Sequence, residues 1–242
     1  RMIDELAESA EKLSRSERES AWRVMAMQVA HEIKNPLTPM KLSIQHLERS
    51  WKDKAPDWDE KLERFTKNIV EQIDNLSAIA SEFSYFAKMP KPMNEKINLS
   101  DLLENSVSIF MANNNIDILL EKTKIPRDCF VFADRNQIIR VMNNVLNNAI
   151  QAIGKNQNGF IEIGLNKVES KAIIFVKDNG SGISDEMKLR IFTPNFSTKS
   201  EGMGLGLAIV KTIIENSGGK IWFESEENNG ATFYIELPLF VE

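Results

Sequence analysis

Apolar residues recur at steps of three and four early in the chain, at Val29, Ile33, Leu37, Met40, Ile44, Leu47 and Trp51, inside a stretch of good helix formers from Leu6 to about Trp51. That period is the heptad seam of a helix facing a partner helix. The segment Lys52-Asp53-Lys54-Ala55-Pro56-Asp57 interrupts it with charge and a proline. A second seam follows through Leu62, Phe65, Ile69, Ile73, Leu76, Ile79 or Ala80, Phe83 and Phe86. Two long helices with so short a connection predict an antiparallel hairpin. Such a hairpin cannot bury both stripes alone, so a second copy completing a four-helix bundle is expected. Met89-Pro90-Lys91-Pro92 ends the second helix, because each proline removes a backbone donor and restricts the residue before it. It marks a domain boundary.

Beyond the prolines the period changes. A helix is predicted from Leu99 to about Met111, strands at Ile116 to Leu120 and Phe130 to Ala133, and a helix from Arg135 to Ile153. Strands at Phe160 to Val168 and Ala172 to Lys177 come next. After a glycine-broken connection, a helix from about Leu205 to Asn216 precedes strands around Lys220 to Ser225 and Ala231 to Leu237. Helices and a mixed sheet in one layer each make an α+β sandwich.

Composition narrows the classes. A length of 242 residues suits two domains, and the net charge of −5 argues against a nucleic-acid binder, which carries a basic face. The single cysteine, Cys129, allows no intrachain disulfide and suits a reducing compartment. No run of eighteen apolar residues exists, so no membrane contact is expected of this segment. An opening on Arg1 in place of methionine predicts a piece of a longer protein, with room for membrane spans upstream.

The candidate chemistry begins at His31, in His31-Glu32-Ile33-Lys34-Asn35-Pro36-Leu37. Neutral imidazole carries a lone pair on one ring nitrogen and attacks phosphorus near neutral pH without a strong base. Glu32 is placed to hold the proton of the other nitrogen. A lone histidine is more often structural, but Pro36 and Pro39 sit inside the same helix, each costing about 3 kcal/mol there. They predict a bend that shapes a site. His46 lies roughly 22 Å further along an ideal helix and reads as a surface residue.

In the helix from Arg135, Asn144 and Asn148 share a face, and their amide oxygens suit a Mg²⁺ held with nucleotide phosphates. Asn143 and Asn147 read as capping or solvated residues. Asp178 closes an isoleucine- and valine-rich strand, ahead of Gly180 and Gly182. A carboxylate there accepts a hydrogen bond from a ligand amine, and the glycines let backbone approach a flat ring. Gly202, Gly204 and Gly206 precede a helix whose N-terminal N–H groups would face phosphates. Neither a Walker loop nor Rossmann spacing is present. Between the clusters, Ile191-Phe192-Thr193-Pro194-Asn195-Phe196-Ser197-Thr198-Lys199 reads as a lid, with Lys199 or Ser197 in reach of phosphate.

In this order and over nearly the whole chain, these residues resemble the sensor histidine kinases of two-component signalling. His31 to Pro36 resembles the phospho-acceptor box and Asn144 with Asn148 the N box. Asp178 to Gly182 resembles the first glycine box, Phe192 to Phe196 the F box, Gly202 to Leu207 the second glycine box, and Gly230-Ala231-Thr232 a weaker family element. The run Ala30 to Pro39 and the Thr193 to Lys199 lid are similar to the nitrogen-regulation, NtrY-like branch. The resemblance implies an all-α dimerisation and phosphotransfer hairpin over 1–88, a linker over 89–96, and a two-layer ATP-binding domain of the Bergerat (GHKL) type over 97–242.

It also implies roles. His31 takes the γ-phosphoryl group of ATP, Glu32 assists, and Asn35 positions water for dephosphorylating a partner regulator. Asn148 with Asn144 holds Mg²⁺, and Asp178 reads the adenine amino group. Gly180, Gly182, Gly202, Gly204, Leu205 and Gly206 line the nucleotide with Phe192, Phe196, Lys199 and Thr232. The implied partner is the receiver domain of a cognate response regulator, and the implied setting is the cytoplasmic part of an inner-membrane bacterial sensor. Two other readings stay open: a dimeric scaffold that binds without turnover, and a stand-alone ATPase. The second is disfavoured because the water-activating glutamate of related ATPases is replaced by Asn144. The hairpin reading makes the chain a homodimer. Light scattering at micromolar concentration is expected to give twice the chain mass, and a monomeric mass would contradict it.

Overall fold

The computed structural model describes residues 27, 29–54, 56–88, 91–111, 116–121, 126, 128–154, 158–194 and 204–241. The chain divides into two compact units, Arg1–Pro90 with Pro194–Leu205, and Lys91–Thr193 with Gly206–Glu242. Among the described residues no helix is long and apolar enough to cross a membrane.

The first unit is a helical hairpin of α1, residues 29–52, and α2, Trp58–Lys88. Asp57 lies just before α2 and pairs with Lys61 at 2.9 Å, and Asp59 and Glu60 occupy the first turn. Negative charge there complements the positive end of the helix dipole. The α1 seam resolves into two lines. Val29 is buried and Ile33, Met40 and Leu47 are half-buried. Leu37, Ile44 and Trp51, seven residues apart, remain 48%, 53% and 65% exposed. On α2, Phe65, Ile69, Leu76, Ile79 and Phe83 are half-buried while Leu62, Val70 and Ile73 stand in solvent. The chain stays helical through Pro36 and Pro39, so the two prolines sit inside α1 as expected. Proline has no N–H, and the helix forgoes two backbone bonds there.

The second unit is a two-layer sandwich. Its elements in order are β1 (Glu95–Asn98), α3 (Leu99–Met111), β2 (Asp117–Leu120), β3 (Phe130–Ala133), α4 (Arg135–Ile153), β4 (Phe160–Val168), β5 (Lys171–Asp178), α5 (Asp185–Lys188), α6 (Gly206–Asn216), β6 (Lys220–Ser225) and β7 (Ala231–Pro238). The main sheet runs β2-β4-β5-β7-β6, parallel between β2 and β4 and antiparallel elsewhere, and β1 pairs antiparallel with β3. Side chains alternate across a strand, and Ala172, Ile174, Val176 and Asp178 of β5 share the buried face with Ala231, Phe233, Ile235 and Leu237 of β7. Against that layer lie Leu102, Leu103 and Val107 of α3, Val141, Val145, Leu146 and Ala149 of α4, and Ile209, Val210 and Ile213 of α6. Each buried valine, leucine or isoleucine among these contributes about 1.5–3 kcal/mol.

Two elements go beyond the sequence reading. β1 occupies the end of the stretch expected as linker, and α5 is a single turn after the Asp178 loop. Asp134 sets the start of α4: its Oδ1 accepts from the Gln137 N–H at 3.1 Å and its Oδ2 from the Met93 N–H at 2.8 Å. One carboxylate thereby caps the helix and fixes the chain entering the unit. Asp134→Ala should lower stability by about 1–2 kcal/mol, as loss of an N-cap does. Urea unfolding would measure it, and an unchanged midpoint would contradict this role.

Candidate active site

The site is built on α4. Asn144 and Asn148, one turn apart, are both half-buried. Asn144 Nδ2 donates to the Arg140 carbonyl at 3.0 Å, which leaves Oδ1 as the free end of the amide for other partners. That oxygen faces the start of α6. A methyl group at Gly206 would stand 2.7 Å from Asn144 Oδ1, so a larger residue there would turn the Asn144 amide aside. The first N–H groups of α6 thus open beside Asn144, where an anion would meet unpaired donors and the positive end of a helix dipole.

The other glycine cluster meets the same helix near its C-terminal end. Asp178, the last residue of β5, is 4% exposed. Its Oδ1 accepts from the Gly180 N–H at 2.9 Å. A methyl group at Gly180 would lie 2.6 Å from the carbonyl carbon of Ala152, and the Ser181 N–H donates to the Ala152 carbonyl at 3.0 Å. Gly182 has φ +67°, a left-handed conformation that L side chains resist. Both glycine clusters therefore touch α4, at Asn144 and at Ala152. Those positions are about 12 Å apart along the helix axis, with Asn148 between them.

Burial raises the pKa of Asp178 above the ordinary aspartate value, and the backbone N–H groups of Gly180 and Ala231 oppose that rise. A carboxylate shielded from water yet not neutralised by a cation is equipped to accept from a neutral N–H of a ligand.

Other expected residues are placed as follows. Phe192 sets its ring edge-on to Phe223 of β6 at 5.9 Å, and Phe223 packs on Phe233 of β7 at 5.7 Å. Phe192 thus covers the sheet face that carries Asp178. Gly204 has φ +61° and Leu205 is buried. Phe196, Lys199 and Gly202 lie outside the described residues. Thr232 requires a correction. Strand alternation places it opposite Lys177, on the face of the sheet away from Asp178, and the residue beside Asp178 in the buried row is Ala231.

In the hairpin unit, His31 is exposed, as is Asn35 one turn later, so the two share an accessible face. Glu32, adjacent to His31, is only 9% exposed. Successive helical positions point about 100° apart, so carboxylate and imidazole leave α1 in different directions.

Asn179 is a residue the sequence reading passed over. Its Oδ1 accepts from the Phe160 N–H at 2.8 Å and its Nδ2 donates to the Asn158 carbonyl at 2.9 Å, which ties the Asp178 loop to the start of β4. An asparagine directly after a strand, able to copy both halves of a peptide group, was the available signal.

Residues 133–240 match the family described as histidine kinase-, DNA gyrase B- and HSP90-like ATPase, and residues 21–92 match the His Kinase A (phospho-acceptor) domain. The nitrogen regulation protein NtrY of Azorhizobium caulinodans is 32% identical over 99% of this chain and 31% of its own length. A putative NtrY-like sensor histidine kinase of Rickettsia conorii is 35% identical over 99% of this chain and 40% of its own. The chain thus spans well under half the length of these relatives. Among solved structures, histidine kinase ThkA in complex with response regulator protein TrrA aligns over 98% of this chain and 67% of that one, at 31% identity and a TM-score of 0.77.

The buried carboxylate sets a testable trade. Because the folded pKa of Asp178 is raised, its contribution to stability is complete below the ordinary aspartate pKa and is lost as pH rises through the folded value. Asp178→Asn removes the buried charge. The variant should unfold at higher urea than the native chain at pH 7, with the gap closing on acidification through the raised pKa. A gap that widens on acidification would contradict the burial argument.

Proposed function

We propose an activity from one premise: the chain belongs to the sensor histidine kinases of two-component signalling. It transfers the γ-phosphoryl group of ATP to His31, and then from His31 to an aspartate on the receiver domain of a response regulator. The observation that carries this reading is the convergence of both glycine clusters on α4, at Asn144 and Ala152, with Asp178 buried beside one of them. A nucleotide laid along α4 meets Asp178 at its adenine amino group. Its phosphates meet the N-terminal N–H groups of α6. Residues 97–242 bind the nucleotide and residues 1–88 carry the acceptor, with 89–96 as the connection.

The carboxamide oxygens of Asn148 and Asn144 are hard, neutral donors that fit Mg²⁺ shared with phosphates. The ion supplies neutralisation of the charge on the phosphate oxygens. Gly180, Gly182, Gly202, Gly204, Leu205 and Gly206 line the nucleotide, and Phe192, Phe196 and Lys199 belong to the lid over it. The transition state is loose and needs positioning more than covalent help. The lone-pair nitrogen of His31 forms a bond to the γ-phosphorus. The bond from that phosphorus to the oxygen bridging the β-phosphate breaks, and ADP leaves with the electron pair. The imidazole's remaining N–H then sheds its proton, to Glu32 once the ring turns toward it or to water from the exposed side. In the second step the aspartate oxygen of the regulator attacks the same phosphorus and the imidazole leaves. Asn35, one turn from His31 on the exposed side, positions water for the reverse function of dephosphorylating the regulator.

The exposed lines Leu37, Ile44, Trp51 and Leu62, Val70, Ile73 support assembly into a homodimer, in which a second hairpin covers them. The response regulator in the ThkA complex supports a receiver domain as partner. Similarity to sensor histidine kinases supports placing this segment in the cytoplasmic part of a membrane-anchored sensor.

Incubation with γ-labelled ATP and Mg²⁺ tests the proposal. The native chain is expected to gain acid-labile, alkali-stable label, and His31→Ala to lose it by more than a hundredfold. Free phosphate release with no labelled protein would make the chain an ATPase instead, and label retained in the variant would move the acceptor elsewhere.

A further inference from the structure

We infer that Ser225 is a positioning residue for the nucleotide, its hydroxyl setting the loop between Asp178 and Ile183 from two strands away. Ser225, Ala231 and Asp178 form one cross-strand row over β6, β7 and β5. With neighbouring strands about 4.8 Å apart, Ser225 stands about 10 Å from Asp178 and does not touch it. Its reach is through backbone. Ser225 Oγ accepts from the Ile183 N–H at 2.9 Å and donates to the Gly230 carbonyl at 2.7 Å.

Those two partners hold opposite ends of the loop. Ile183 closes the run Asp178-Asn179-Gly180-Ser181-Gly182-Ile183. Gly230, with φ +79°, lies flat against its start, where a methyl group would be 2.0 Å from the Asp178 carbonyl oxygen and 3.1 Å from Asn179 Cα. A hydroxyl donates and accepts at once, which neither alanine nor valine can do. Ser225→Ala frees both the Ile183 N–H and the Gly230 carbonyl in a half-buried place, so the loop loses the link between its two ends. The Asn228 N–H still donates to the Ser181 carbonyl at 2.7 Å, and the Ser181 N–H to Ala152, so the fold keeps its own ties. What slackens is the register of the Asp178 carboxylate and of the glycine backbone beside it.

The inference rests on the kinase reading, because it assumes that a nucleotide occupies this loop. Its test uses the whole chain, with equilibrium binding of a fluorescent ATP analogue beside the autophosphorylation rate against ATP concentration. Ser225→Ala is expected to weaken analogue binding and to raise KM for ATP by five- to tenfold, with kcat within twofold of native. Ser225→Thr, which restores the hydroxyl, should return both to within twofold. Ser217→Ala serves as control, since that hydroxyl, just past α6, bonds back to the Ile213 carbonyl in the last turn of the helix. Unchanged binding in Ser225→Ala would overturn the inference. So would equal losses in kcat and affinity with a lowered urea midpoint, which is the mark of a merely structural role. A native chain that binds the analogue but takes no label would sink the kinase reading and leave the binding test of Ser225 intact. A native chain that binds no analogue would overturn both.

Discussion

The site depends on how closely two segments approach one helix. The loop after β5 presses on the backbone of α4 with no room for a Cβ atom, at Gly180 against Ala152, and the start of α6 meets the side-chain amide of Asn144 at Gly206. Glycine at 206 leaves the Asn144 amide in place, and at 180 it is a packing requirement before it is a chemical one. Once it is met, peptide N–H groups, the Asn144 and Asn148 amides and the Asp178 carboxylate line a strip about 12 Å long on one face of a single helix. Rigidity comes from below, where Val141, Val145, Leu146 and Ala149 fasten α4 to the sheet.

Asp178 shows the tension such a site contains. Its place in the buried row of β5 would otherwise suit a valine or isoleucine, as at Ile174 and Val176. Burial raises the energy of its charged form, and the N–H groups of Gly180 and Ala231 recover part of that penalty. On the proposed reading, a ligand amine would satisfy the remaining polar capacity. His31 is exposed, and as the proposed acceptor, meeting both a nucleotide and a protein partner, it would need such a face.

Much of the fold was legible because periodicity and burial coincide. Arg135–Ile153 reads as a helix and Phe160–Val168 as a strand, and both hold in the structure. β1 was illegible because Glu95-Lys96-Ile97-Asn98 holds a single apolar residue, and its pairing with β3 supplies what local propensity does not. α5 is too short for any period to register. The placement of Thr232 failed for a different reason: the alternation Ala231, Phe233, Ile235, Leu237 already assigned Thr232 to the other face, and motif resemblance outweighed it. The seam of α1 was read as one stripe because spacing alone does not say which apolar residues a hairpin covers and which it leaves for another copy.

The central claim, that the nucleotide lies along α4 between the two glycine clusters, is tested most directly by a crystal structure of the chain with Mg²⁺ and a non-hydrolysable ATP analogue. The account predicts the adenine amino group on the Asp178 carboxylate, the phosphates at the N-terminus of α6, and the ion within coordination distance of the Asn148 amide oxygen. An analogue bound away from α4, or turned so that its phosphates meet Asp178, would contradict it.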